Sequence, residues 1–199
     1  MSFVAKRTDG GDTLIFTFHG TGGTEGQFHG LAEQILPGAS VVSPRGDVSE
    51  SGALRYFRRT GEGVYDMDDL ARRTEAMAAF LAGEKEKAEA RRVIGLGYSN
   101  GANILASVAM SRPDIVENLI LMHPLIPWQP SPQPGLEGRR VLITAGQRDP
   151  ICPAPLTQTL IGWFEAQGAE TTALWHPGGH EIARPEIDAI GSFVAQVAA

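Results

Sequence analysis

Short, continuous apolar runs alternate with longer segments of helical period along this chain, and that alternation admits few folds. The apolar runs are Thr13–Phe18, residues 40–43 (closed by Pro44), residues 93–98, Asn118–Met122, residues 140–145 and residues 171–175. Asn118–Met122 is apolar without alternation after its first residue, the pattern of a strand buried on both faces. Between these runs, residues 68 to about 88 set Leu70, Met77, Phe80 and Leu81 on one helical face, with Asp66 or Asp68 as cap. The charged tail of that segment, residues 84–92, reads as a solvated face. A second helix over residues 100–110 is stopped by Ser111-Arg112-Pro113, and a third over 154–167 carries Leu156, Leu160, Trp163 and Phe164. The last begins near Pro185, a residue suited to a first helical turn, and carries Ile187, Ile190, Val194 and Val197. Strand and helix in turn predict an α/β class fold, a mostly parallel sheet with helices on both faces. Ligands of such sheets sit at the carboxyl ends of the strands. The loops that matter are therefore 19–30, 99–101, 123–135, 146–153 and 176–181.

A length of 199 residues fits one domain spanning 1–199, large enough to bury its own core. The net charge of -6 argues against a nucleic-acid partner, which requires a basic face, and against stable association with anionic membranes. One cysteine, Cys152, excludes a disulfide framework and fits a reducing compartment. No apolar run approaches the ~18 residues of a membrane helix. The first dozen residues, with Lys6, Arg7 and Asp9, lack the apolar core of a signal peptide, so the expected location is cytoplasmic.

Gly97-Tyr98-Ser99-Asn100-Gly101 is a G-x-S-x-G pentapeptide between an apolar strand and an amphipathic helix. Glycines two before and two after the serine remove side chains from a turn too tight to hold them. The pentapeptide alone is open to two readings: a helix N-cap, or a nucleophile raised at a helix N-terminus whose dipole favours developing negative charge. Downstream residues decide between them. Asp149 directly follows the strand at 140–145, and His180 directly follows the strand at 171–175. The order Ser99, Asp149, His180 is that of a hydrolase triad on a parallel sheet, with all three on one edge. The glycine-rich His19-Gly20-Thr21-Gly22-Gly23 follows the first strand. Its Thr21 N–H, with the N–H of Asn100, is the expected oxyanion hole, and His19 is a brace for the loop.

These residues resemble the serine α/β-hydrolases, in the small phospholipase/carboxylesterase branch that includes acyl-protein thioesterases. The similarity runs from about Thr13 to the C-terminal helix. Its marks are residues 19–25, Gly97-Tyr98-Ser99-Asn100-Gly101, Gly146 with Asp149 and Pro153, and Gly179-His180-Glu181. Ser43-Pro44-Arg45-Gly46, Arg55-Tyr56-Phe57-Arg58-Arg59 and the loop 123–127 are similar to a bacterial subgroup of hydrolases associated with quinone or hydroquinone tolerance. The loop departs from the thioesterases, which weakens a protein-deacylation role. The resemblance implies the α/β-hydrolase fold in a minimal lidless form.

Other motifs fall away. Gly95-Leu96-Gly97 starts a dinucleotide fingerprint but has Asn100 where the third glycine belongs, and no phosphate-binding P-loop occurs. His176 and His180 have a metal-like spacing, yet Pro177, Gly178 and Gly179 between them forbid a helix, so no metal is expected. Cys152 is off the elbow and reads as a packing residue. Leu125, Ile126 and Trp128 fit either an acyl or aryl pocket or ordinary loop packing. Tyr56 and Phe57 have the better claim to that pocket through the subgroup likeness. Arg45, Arg55, Arg58 and Arg59 read as partners of Glu50, Glu62 or Asp66, the alternative being one guanidinium turned to the site to select polar or anionic substrates.

The expected protein is a cofactor-free serine carboxylesterase, Ser99 the nucleophile, His180 the base and Asp149 its orienting acid, acting on small short-acyl or aryl esters. The alternatives are an acyl thioesterase or lysophospholipase with the same triad, and a non-catalytic binding protein on a hydrolase fold. A homodimer stays open.

Overall fold

Each apolar run becomes a strand of one seven-stranded sheet in the computed structural model, which describes residues 3–198. In chain order the elements are β1 (Ala5–Thr8), β2 (Thr13–Phe18), α1 (His29–Ile35), β3 (Ser40–Pro44), β4 (Val48–Glu50), β5 (Ala53–Arg55), β6 (Arg59–Gly61) and β7 (Val64–Tyr65). They continue with α2 (Met67–Lys87), β8 (Arg92–Tyr98), α3 (Asn100–Ser111), β9 (Asn118–Met122), β10 (Arg140–Gly146), α4 (Ala154–Ala166), β11 (Glu170–His176) and α5 (Arg184–Ala198). The sheet order is β1-β3-β2-β8-β9-β10-β11. All neighbours pair in parallel except β1, which runs antiparallel to β3 at one edge.

Alternate residues of a strand face opposite sides, and the two cores follow that period. Leu14, Phe16 and Phe18 of β2, with Leu119 and Leu121 of β9, pack on the side covered by α2, α3 and α4. Ile15, Ile94, Ile120 and Met122 pack on the other side with Ala32 of α1 and Ile190, Val194 and Val197 of α5. The chain winds outward from β2 to β3, then returns and winds the other way from β8 to β11. The order therefore reverses between β2 and β8, and the loops leaving these strands open a crevice there.

The structure corrects several expectations. β1 has no apolar run to announce it; Lys6 and Arg7 suit an edge strand, where charge discourages further pairing. Helix α1 begins inside the segment read as loop and continues past it. Residues 45–66 fold as two short hairpins, β4–β5 and β6–β7. Helix α2 is capped by Asp66, whose side chain accepts from Asp69 N–H, and not by Asp68. Glu84, read as solvated, is buried: Arg7 from the edge strand and Lys87 one turn on hold its carboxylate, because α2 lies over β1. Leu156 is exposed while Leu160 and Phe164 carry the α4 contact. Among the described residues no helix is long and apolar enough to cross a membrane.

Candidate active site

The turn from β8 into α3 is as tight as the glycines require. A Cβ on Gly97 would stand 2.6 Å from Gly101 O, and one on Gly101 would collide with the backbone of Phe18 and His19. Between them Ser99 adopts φ 52 and ψ -118, a conformation a serine holds only when its surroundings impose it. The bond from Ser99 N–H to Met122 O (2.9 Å) and the first turn of α3 impose it here.

Loops after β10 and β11 meet that serine. His180 Nε2 lies 2.9 Å from Ser99 Oγ, and His180 Nδ1 lies 2.7 Å from Asp149 Oδ2. Asp149 is buried, and its Oδ1 accepts the N–H groups of Ile151 (2.8 Å) and Cys152 (2.9 Å). Burial raises its pKa, but the Cys152 and Ile151 N–H groups and both nearby histidines outweigh that and hold it below the ordinary aspartate value. Tyr98 OH donates to His180 O at 2.6 Å, and the two rings lie 5.3 Å apart, so the residue before Ser99 anchors the loop that carries His180. Burial, with the Asp149 charge next, pushes that phenol up to about 12.

Thr21 and Asn100 both line the cavity above Ser99. Asn100 is the first residue of α3, so its N–H has no intrahelical acceptor. The glycines on either side of Thr21 are tied down: Gly20 N–H to Gln27 Oε1 at 2.9 Å and Gly22 N–H to Leu54 O at 2.9 Å. His19 is buried beneath this loop, accepting from Gly46 N–H at Nε2 (2.9 Å) and facing Gly20 O at Nδ1 (2.7 Å).

The cavity holds about 280 Å³, at the small end for ligand sites. Its walls bring Arg55, Arg59, Tyr65, Leu125 and Cys152 to Ser99 and His180. Of the pocket residues expected from sequence, only Leu125 is on that wall. Tyr56 and Phe57 are in the core: Tyr56 OH donates to Pro44 O (2.8 Å), and Phe57 packs edge-on to Tyr65. Ile126 and Trp128 line a separate groove against α4, with Trp128 also edge-on to Tyr65. Tyr65, not singled out from sequence, links the hairpins to the site by accepting from Asn103 Nδ2 (2.9 Å) and donating to Leu125 O (2.9 Å).

The four arginines divide. Arg58 pairs with Asp66 and Asp69, and Arg45 pairs with Glu25, a partner the sequence did not suggest. Arg59 bridges Glu50 and Glu62 and borders the cavity. Arg55 is buried, contacts Glu50, and donates from Nη1 to Thr21 Oγ1 at 2.8 Å.

Metal-ligand types cluster twice, as His123, Asp149 and His180 and as His123, His176 and Glu186. The protein engages most of these groups, while His123 Nε2 and His176 Nε2 have no hydrogen-bond partner among the described residues. Asp149 takes Ile151 and Cys152 N–H and both neighbouring imidazoles, and His176 Nδ1 accepts Gly178 N–H at 3.1 Å, which puts the proton of a neutral ring on Nε2.

The sequence profile of the Ndr family matches residues 58–130. Over 179 residues, 89% of this chain and 90% of the other, the sequence is 37% identical to the Bacillus subtilis (strain 168) protein named "Putative hydrolase MhqD". Among solved structures, the protein Atu2452 of unknown function from Agrobacterium tumefaciens str. C58 superposes with a TM-score of 0.93 at 52% identity, covering 98% of this chain and 97% of that one. The carboxylesterase of Bacillus cereus superposes with a TM-score of 0.90 at 33% identity, covering 98% of this chain and 94% of that one.

Proposed function

The chain belongs to the α/β-hydrolase family of MhqD and the Bacillus cereus carboxylesterase, a family of esterase-type hydrolases, and on that premise we propose that it is a serine carboxylesterase for short-acyl or aryl esters. The observation that carries this reading is the pair of contacts joining Ser99 Oγ to His180 Nε2 (2.9 Å) and His180 Nδ1 to Asp149 Oδ2 (2.7 Å).

In the mechanism, Ser99 Oγ attacks the ester carbonyl as His180 Nε2 takes its proton. The carbonyl oxygen becomes an oxyanion held by the N–H groups of Thr21 and Asn100, whose positions cost no reorganisation when charge develops. Collapse expels the alcohol, which leaves with the proton from His180, and an acyl-enzyme on Ser99 remains. Water then gives a proton to His180 and attacks the acyl carbon, and collapse breaks the bond to Ser99 Oγ, which takes that proton back from His180 as the acid is released. Asp149 keeps Nδ1 protonated throughout and stabilises the imidazolium. Nucleophile, base and oxyanion donors all come from the chain, so no cofactor is required.

The cavity of about 280 Å³ supports small acyl or aryl groups over long lipid chains. A second reading, hydrolysis of acyl thioesters or lysophospholipids, uses the same machinery and is separated by comparing turnover of the three substrate classes. The test of the main reading is labelling by a fluorophosphonate together with turnover of short p-nitrophenyl esters. Labelling mapped to Ser99 and absent from Ser99→Ala is expected. Folded protein that neither labels nor turns over ester would favour a non-catalytic binding protein on this fold.

A further inference from the structure

We propose that His123 is a positioning residue of this site: a buried imidazolium, held between Asp149 and Glu186, that fixes the Asp149 carboxylate on His180 and by its own charge keeps His180 free to act as base. The role rests on the Ser99–His180–Asp149 reading above.

His123 directly follows β9, is fully buried, and has φ 48, a left-handed conformation rare for a residue with a side chain. Its backbone is fixed by its N–H to Thr144 O (2.8 Å) and by Cys152 Sγ donating to its carbonyl (3.1 Å). That backbone sends the ring between two carboxylates. Nδ1 lies 2.9 Å from Asp149 Oδ2, the same oxygen that meets His180. Nε2 lies 3.1 Å from Glu186 Oε1, at ion-pair distance but without the alignment of a hydrogen bond.

A carboxylate oxygen offers lone pairs only, so a ring nitrogen beside one needs its own proton. Nδ1 of His123 is so placed, and Nε2, though not aligned for a hydrogen bond, stands at ion-pair distance from Glu186, an arrangement that fits the doubly protonated form. The carboxylates are otherwise occupied by donors: Asp149 by Ile151 and Cys152 N–H, Glu186 by Thr144 Oγ1 (2.6 Å) and Ala183 N–H (2.6 Å). Two buried carboxylates without a cation would be very costly. Among the described residues no lysine or arginine pairs with either. His176, 3.3 Å from Glu186 Oε2, uses its Nδ1 lone pair to accept from Gly178 N–H. His123 is therefore the compensating charge. Its burial opposes the charged form, but Glu186 and Asp149 outweigh that and raise its pKa, and both carboxylates are held low in turn.

The groups facing the ring are Asp149 after β10, Glu186 of α5, His176 at the end of β11, His180 at 5.2 Å and the phenol ring of Tyr98 at 5.8 Å. A lone carboxylate on His180 would favour its protonated, inactive form. A cation on the same oxygen offsets that pull and preserves the neutral base at lower pH, while Asp149 retains its orientation.

The test combines nitrogen-15 histidine NMR with pH profiles of kcat/KM and metal analysis. Two protonated ring nitrogens on His123, unchanged across the neutral range, are expected. His123→Asn keeps a donor toward Asp149 but removes the charge, and its acid limb should move up by about one to two pH units. The double variant His123→Asn/Glu186→Gln, with the buried charge rebalanced, should regain stability but leave the limb displaced, which a purely structural role would not do. If His123→Asn does not fold, Glu186→Gln takes its place: His123 should then titrate in the NMR, and the limb should move the same way. A neutral His123, an acid limb unmoved in a folded variant, or a stoichiometric divalent metal whose binding needs His123 would overturn the assignment. Wild-type protein that neither labels at Ser99 nor hydrolyses ester would remove the triad reading, and this role with it, whatever the NMR reports.

Discussion

Arg55 Nη1 donates to Thr21 Oγ1 across 2.8 Å, tying the β4–β5 hairpin to the loop that carries Thr21, whose N–H is one of the two proposed oxyanion donors. Arg55 is buried but Thr21 is exposed to solvent, which screens the contact, so this charge-assisted bond is worth about 1.5 kcal/mol, the low end for its kind. Arg55→Met should therefore lower kcat by about tenfold with a smaller change in KM, because the loop loses its orientation more than the site loses affinity. Steady-state kinetics on a short ester measures the split, and unchanged kcat would show that the Gly22 tether to Leu54 O holds the loop unaided.

Ser99→Ala should leave the fold intact and reduce turnover on the order of 10⁶-fold, the cost of losing the nucleophile in such a triad. Residual activity above a few per cent of wild type, in protein of unchanged circular dichroism, would move the nucleophile elsewhere.

Asp149→Asn should cost on the order of 10⁴ in kcat, because the wrong tautomer of His180 is then favoured. Asp114 and Asp188, each exposed and paired with Arg112 and Arg184 respectively, are the control acids. Their asparagine variants should stay near wild-type rate, measured at matched folded fraction; a larger loss in Asp188→Asn than in Asp149→Asn would reassign the acid.

Substrate length should show an optimum. Each methylene buried gains about 0.8 kcal/mol until the cavity of about 280 Å³ is full, after which overpacking reverses the gain. kcat/KM for p-nitrophenyl esters should rise from acetyl to butyryl or hexanoyl and then fall, without a jump at micelle formation. Efficiency that climbs to palmitoyl would favour the lysophospholipase reading.

Acid should weaken the fold partly through Glu25. Its hydrogen bond to the Arg45 guanidinium pulls its pKa from 4.5 to about 2. A depressed carboxylate contributes stability that is complete above its unfolded value and is lost as pH falls toward its folded one. Glu25→Gln should thus be less stable than wild type near neutrality, and the two should converge between about pH 4.5 and about pH 2. Urea midpoints across that range are the measurement, and a constant difference would mean that the pair carries no pH dependence.

The layers of the fold and the loops holding Ser99, Asp149 and His180 were legible in the chain because both follow from local rules. Strand and helix periods are written over neighbouring residues, and a parallel sheet sends every strand's carboxyl end to one edge. The β1 edge strand and the hairpins of residues 45–66 have no such period, since short segments owe their form to what they pack against. That is why Tyr56 and Phe57, adjacent to the pocket-lining Arg55, turned out to be core residues. The contacts of His123 are hidden for the same reason: Asp149 and Glu186 reach it from a different loop and a different helix. Which side chains share a buried charge depends on backbone direction and exclusion of water at one point in space, and neither is encoded in spacing along the chain.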